Sequence, residues 1–181
     1  METATATTTQ WAIDPAHSEI HFKVKHLMIS NVTGSFGSFG AEATLEGDDL
    51  SGASVEFWAE LASVSTGSAD RDTHLKGADF FDAENFPKLT FRSTDLRAAG
   101  RNWKMIGDLT IKGITKPVTL DVEWAGTATD PWGNAKAGLS VTGAFDRKDW
   151  GLTWNAALET GGVLVSDEVR LVAEVQLVRK G

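Results

Sequence analysis

Apolar side chains recur at every second position over much of the chain. From Ser18 to Met28, Ile20, Phe22, Val24, His26 and Met28 fall on one face, and Glu19, His21, Lys23 and Lys25 on the other. A period of two is that of a β-strand, whose successive side chains point to opposite faces of a sheet. The same alternation runs through Ala53 to Leu61, Val118 to Trp124 and Val169 to Val178. Further strand candidates are Thr33 to Leu45, Lys88 to Leu96, Asn102 to Ile111 and Ala135 to Phe145. Turn-forming groups separate these runs: Gly47-Asp48-Asp49, Ala99-Gly100-Arg101-Asn102, Lys112-Gly113 and Asp130-Pro131-Trp132-Gly133-Asn134. Such short connections suit antiparallel neighbours. About eight strands, each with one apolar face, and almost no helix predict an all-β antiparallel barrel or sandwich, because an open sheet would leave long unpaired edges.

Two stretches break the pattern. Ser65 to Pro87 is too long for a hairpin turn and too polar at its start for a strand; Ala69 to Lys76 is expected to form one or two helical turns capped by Ser68. The residues after it, with Phe80, Phe81 and Phe86, are expected to pack down as a plug or lid. Gly34-Ser35-Phe36-Gly37-Ser38-Phe39-Gly40 is glycine-rich but lacks a phosphate-binding Lys-Ser/Thr ending and a following helix, and it reads as a strongly bent strand.

Length and charge narrow the classes. The chain has 181 residues, 41% of them hydrophobic and 23% charged, which suits one globular domain with a sizeable core. A formal net charge of -8 argues against a nucleic-acid partner, whose phosphates must be neutralised by cations. The absence of cysteine excludes disulfides, a thiolate nucleophile and Cys-based metal sites. The opening METATATTTQ lacks the charged and apolar parts of a secretory signal, and no run of about 18 apolar residues follows. Residues 1–10 are therefore expected to be a disordered tail, residues 11–181 the domain, and the protein cytoplasmic without an integral membrane segment.

Candidate chemistry is sparse. His17, His21 and His26 are close in sequence, but along a strand His17 and His21 stand about 13 Å apart and His26 points to the other face, so no shared metal is expected. His26 lies on the apolar face, either as a satisfied core histidine or as a polar anchor at one end of a cavity. The loop cluster Asp70, Arg71, Asp72, His74 and Lys76 reads either as a seat for an anionic group or as a solvated helix face with local ion pairs. Arg147, Lys148 and Asp149 admit the same two readings. No Gly-x-Ser-x-Gly elbow or obvious Ser, His and acid set is present, so no enzyme is expected. Seven tryptophans suit a broad apolar interior or an interface between copies.

Several segments together resemble the YceI family of polyisoprenoid-binding, lipocalin-like proteins. They are Trp11-Ala12-Ile13-Asp14-Pro15-Ala16-His17-Ser18 with Ile20 to His26, Gly34-Ser35-Phe36, Arg71-Asp72-Thr73-His74-Leu75-Lys76-Gly77-Ala78-Asp79-Phe80-Phe81-Asp82 with Phe86-Pro87, Gly107 to Val118, Asp146-Arg147-Lys148-Asp149-Trp150-Gly151-Leu152, and Ser166-Asp167-Glu168-Val169. The resemblance implies a lipocalin-like antiparallel barrel whose apolar lumen holds a long isoprenoid or similar lipid, possibly as a homodimer, with no cofactor and no metal. With that lumen, strand parity places Ile20, Phe22, Val24, Phe36, Phe57, Phe91, Met105, Leu109, Val141, Phe145 and Leu171 on its wall. Carried over from the family's motifs, His26, Arg71 and His74 are expected near the head group of a prenyl phosphate or quinone, or else to fasten the loop to the barrel. The rival readings are a lipid-modifying enzyme using His26 or His74, and a stress-related interaction protein with a solid barrel.

Overall fold

The computed structural model describes residues 7–47, 49–158 and 163–180. Its strands are β1 (Thr9–Ile13), β2 (Glu19–His26), β3 (Ser30–Phe36), β4 (Phe39–Leu45), β5 (Ser54–Glu60), β6 (Val64–Ser65), β7 (Lys88–Ala99), β8 (Asn102–Ile111), β9 (Ile114–Thr129), β10 (Ala135–Asp146) and β11 (Val165–Lys180). Three pairs of short strands act as single bent ones. β11 is paired along one edge by β10; along the other it is paired by β2 as far as Glu174 and by β1 from Leu177 onward. β1 also pairs β4, β2 pairs β3, and β3 pairs β6, while β5 joins β4 to β7. Counting β1/β2, β3/β4 and β5/β6 once each, eight antiparallel staves follow one another in chain order and close on themselves. Closure satisfies the edge hydrogen bonds that an open sheet would leave bare.

Each bend has a local cause. Between β1 and β2, Pro15–His17 forms a 3-10 turn; the Asp14 carboxylate accepts from the Ala16 N–H, and its other oxygen lies 2.8 Å from His17 Nδ1. The strand expected over Thr33 to Leu45 is split at Gly37-Ser38, consistent with strong bending there. Gly34 faces Phe22 across β2 and β3, and a Cβ at Gly34 would meet that ring at 2.2 Å. The bare backbone lets an aromatic ring lie flat on the strand. Thr9 and Gln10, expected in a disordered tail over residues 1–10, are instead paired with Leu45 and Thr44 in β1; residues 1–6 lie outside those described.

The two ends of the barrel differ. At one, the turns after β4, β7 and β9 are compact. At the other lie the β2–β3 hairpin, the long β6–β7 connection with helix α1 (Ala69–Lys76), the tight β8–β9 turn and the β10–β11 connection. Ser68 caps α1 as expected, its hydroxyl accepting from the Arg71 N–H. No helix among the described residues is long and apolar enough to cross a membrane.

Candidate functional site

Inward-facing side chains do not fill the barrel. They enclose a cavity of ≈ 360 Å³, within the roughly 300–1,000 Å³ usual for ligand pockets and more than twice the roughly 150 Å³ that keeps an apolar void dry yet able to bind benzene. All eleven positions that strand parity assigned to the wall line it: Ile20, Phe22, Val24, Phe36, Phe57, Phe91, Met105, Leu109, Val141, Phe145 and Leu171. At the compact end Leu45 and Leu50, almost without exposure, line it as well.

Aromatic side chains from the long connections form the other end. Phe81 packs on Phe36 with ring centroids 6.1 Å apart, and Phe36 on Phe22 at 5.5 Å, so the segment after α1 continues the wall begun by β2 and β3. Phe80 and Trp154 flank His74, whose ring stands edge-on to both at 5.0 and 4.6 Å. The segment thus packs down through Phe80 and Phe81, while Phe86 lies against Gly113 of the β8–β9 turn instead of lining the cavity. Lys112 Nζ donates to the Ala78 carbonyl at 3.1 Å and ties the segment to the β8–β9 turn. Alternation gave no sign of Trp154, Leu152 or Leu164 in the wall, because the β10–β11 connection that carries them has no strand period.

His26, Arg71 and His74 all border the same cavity, but their partners differ. Arg71 donates from Nε to Thr66 Oγ1 and from Nη2 to the Thr66 carbonyl, both at 2.7 Å. Asp72 accepts from the Thr66 N–H and hydroxyl, so the two neighbours clamp α1 to the end of β6. His74 Nε2 lies 2.9 Å from Asp79 Oδ2 within the same loop. Arg71 and His74 therefore have fastening roles in addition to their place at the cavity. His26 is half-buried, and its backbone carbonyl, not its ring, holds the hairpin by accepting from Ile29 N–H. The polar residues bordering the cavity at this end are thus Lys25 and His26 at the hairpin, Thr66, Arg71 and His74 at α1, and Arg147 in the β10–β11 connection.

Arg147 departs from both sequence readings. It is buried, 4% exposed, and makes neither an anion seat nor a solvated face. Its guanidinium donates to the carbonyls of Ser166, Leu152, Trp154 and Val165, with Asp167 farther off at 3.9 Å. Burial pulls its pKa below the ordinary arginine value, opposed by Asp167 and Asp146. One side chain thereby ties the β10–β11 connection to the start of β11. The tryptophans divide: Trp150 is buried and donates to the Leu109 carbonyl, Trp58 covers Gly40 on the outer face, and Trp132 is exposed in the β9–β10 turn. Among the described residues no group of three or more His, Cys, Asp or Glu is placed to hold a metal ion.

Residues 11–177 match the YceI-like domain. The chain belongs to the YceI family. A YceI relative, the UPF0312 protein of Staphylococcus aureus strain N315, is 40% identical over 171 residues, spanning 93% of this chain and 96% of its own. The crystal structure of the Campylobacter jejuni YceI protein superposes with a TM-score of 0.72 at 34% identity, over 88% of this chain and 91% of that one. Two more distant structures share the YceI fold. Burkholderia cenocepacia BcnA has a TM-score of 0.78 at 24% identity, over 91% and 98% of the two chains. A polyisoprenoid binding domain from Saccharophagus degradans has 0.62 at 14%, over 94% and 98%.

Proposed function

We propose that this YceI protein binds and carries an apolar chain lipid, a polyisoprenoid with a polar head, within the barrel, and that it does so as a binding protein without catalysis. The observation that carries this reading is the cavity itself: a closed sheet around an apolar space whose polar neighbours gather at the end formed by the long connections. Burying one methylene contributes about 0.8 kcal/mol, so a few isoprene units outweigh a missing hydrogen bond, and selectivity is left to cavity shape and the head group. The fold's occurrence in a polyisoprenoid binding domain supports the class of ligand. At the rim, His26 and the unbonded part of the Arg71 guanidinium suit a phosphate or quinone oxygen, with His74 placing the lid.

The test is native mass spectrometry of protein purified without detergent, followed by organic extraction. A stoichiometric isoprenoid lipid is expected. Ala173→Phe, which places a ring inside the cavity, is expected to lower that occupancy at least tenfold while the barrel stays folded. An empty protein that also fails to take up added prenyl phosphates or quinones overturns the proposal.

A further inference from the structure

Of the six large apolar side chains left exposed among the described residues, four lie together, apart from Ile114 at the β8–β9 turn and Trp132 in the β9–β10 turn. Leu27, Met28 and Ile29, at 38%, 55% and 84% exposure, make the tip of the β2–β3 hairpin, and Val163, at 37%, adjoins Leu164, whose carbonyl accepts from the Leu27 N–H at 2.9 Å. The tip continues directly from Lys25 and His26, which border the cavity. Its backbone is costly. Leu27 and Met28 have φ of 55° and 60° at the centre of a turn closed by Ile29 N–H to the His26 carbonyl. Such a turn favours Asn-Gly, which adopts positive φ with least strain. Leucine and methionine there serve neither the turn nor the core.

Beneath the tip the outer face is basic, although the chain as a whole carries -8. Lys23 and Lys25 are exposed on β2, and Lys23 sits directly opposite Arg170 of β11. Like charges placed opposite each other destabilise a sheet unless an anion offsets them. Arg170 has Glu168 at 3.8 Å, which offsets part of its charge, and Asp167 stands by Lys148 at 3.2 Å, whereas among the described residues Lys23 and Lys25 form no ion pair.

We propose that Leu27, Met28 and Ile29 enter the surface of an anionic lipid bilayer, with Lys23, Lys25 and Arg170 against its head groups. Exposed apolar residues above a cationic stripe are the two ingredients of interfacial binding. Docked in this way, the barrel holds its cavity rim at the membrane, and an apolar ligand passes between the two without crossing water. Only that last step rests on the carrier reading; the docking itself does not.

The experiment is co-sedimentation of the ligand-free full chain with phosphatidylcholine vesicles containing increasing phosphatidylglycerol. Binding is expected to rise with the anionic fraction and to fall with salt. The variant L27N/M28G/I29T is expected to bind at least tenfold more weakly while its thermal midpoint stays the same or rises, because Asn-Gly relieves the turn. K23Q/K25Q is expected to flatten the salt dependence. In a transfer assay between vesicles, the tip variant is expected to hold as much prenyl lipid at equilibrium but deliver it at least tenfold more slowly. Wild-type protein that stays in the supernatant, a tip variant that binds vesicles equally well, or a dimer that buries the tip and dissociates in the variant each overturns the docking proposal. A wild type that docks but carries no lipid overturns only the carrier reading.

Discussion

The two ends of this barrel are built from the same strands and differ in how those strands are joined. At the compact end, Leu50 drops from the β4–β5 turn into the interior beside Leu45, and both have almost no exposure. At the other end the connections run to a helix, a lid of phenylalanines and a segment pinned by a buried arginine, and Leu27, Met28 and Ile29 are left in solvent together, where among the described residues the compact end exposes Trp132 alone. Every stave is hydrogen-bonded on both edges around the ring, so the sheet itself does not need the long connections for closure. The compact end closes over Leu45 and Leu50, and the elaborate end carries the polar residues that border the cavity. Local stability need not be uniform in such a molecule, and the segments that govern access belong to the less stable part.

The largest expected effect comes from removing the pin at the elaborate end. Arg147→Met leaves the carbonyls of Leu152, Trp154, Val165 and Ser166 without their shared donor, at a cost of about 3 kcal/mol. Urea unfolding measures that loss, and hydrogen exchange is expected to rise first in the β10–β11 connection. If exchange rises equally around the ring, the connection is not a separable unit. At the compact end, Leu50→Ala removes a seal and is expected to cost about 2 kcal/mol, with the larger void raising the affinity for small apolar probes. An unchanged probe affinity would mean that the β4–β5 turn collapses into the gap.

Why the wall was readable residue by residue and the lid only as a segment follows from what determines each. Strand parity is set by the backbone, so Phe22, Phe57, Met105 and Leu171 on different staves all face inward once the sheet closes. Parity shifts only where an extra residue enters. β9 continues to Thr129, past the expected end at Trp124, through a change of register at Gly138/Leu139. The lid has no such rule. Leu75, Phe80 and Trp154 reach the cavity through tertiary packing of aperiodic chain, and the sequence offered only a cluster of phenylalanines and a capping serine. Arg147 was hidden for a related reason: its partners are main-chain carbonyls, which leave no trace in side-chain spacing. The motif residues Arg71 and His74 were found, but their bonds to Thr66 and Asp79 depend on how α1 sits on the barrel.

The smallest effect distinguishes the ends by their response to acid. Two carboxylates held below their ordinary range, Asp14 and Asp130, share Lys136 near the compact end, at 3.6 and 3.9 Å. For Asp14 the leading cause is the hydrogen bond from His17, joined by the Ala16 N–H and Lys136 and opposed by partial burial. For Asp130 it is the Asn134 N–H, with burial again opposing and the Asn134 side chain, Trp132 N–H and Lys136 assisting. Because each folded carboxyl titrates below its unfolded value of 3.8, the unfolded chain takes up protons first as pH falls. Their contribution is therefore present above that value and is lost as pH drops through the folded one. Urea midpoints measured downward from about pH 5 are expected to fall less steeply for Asp14→Asn than for the wild type. Hydrogen exchange over the same range is expected to loosen the β1–β2 bend and the β9–β10 turn before α1. Loosening of α1 first would place the acid-sensitive ties at the elaborate end and reverse the contrast between the two.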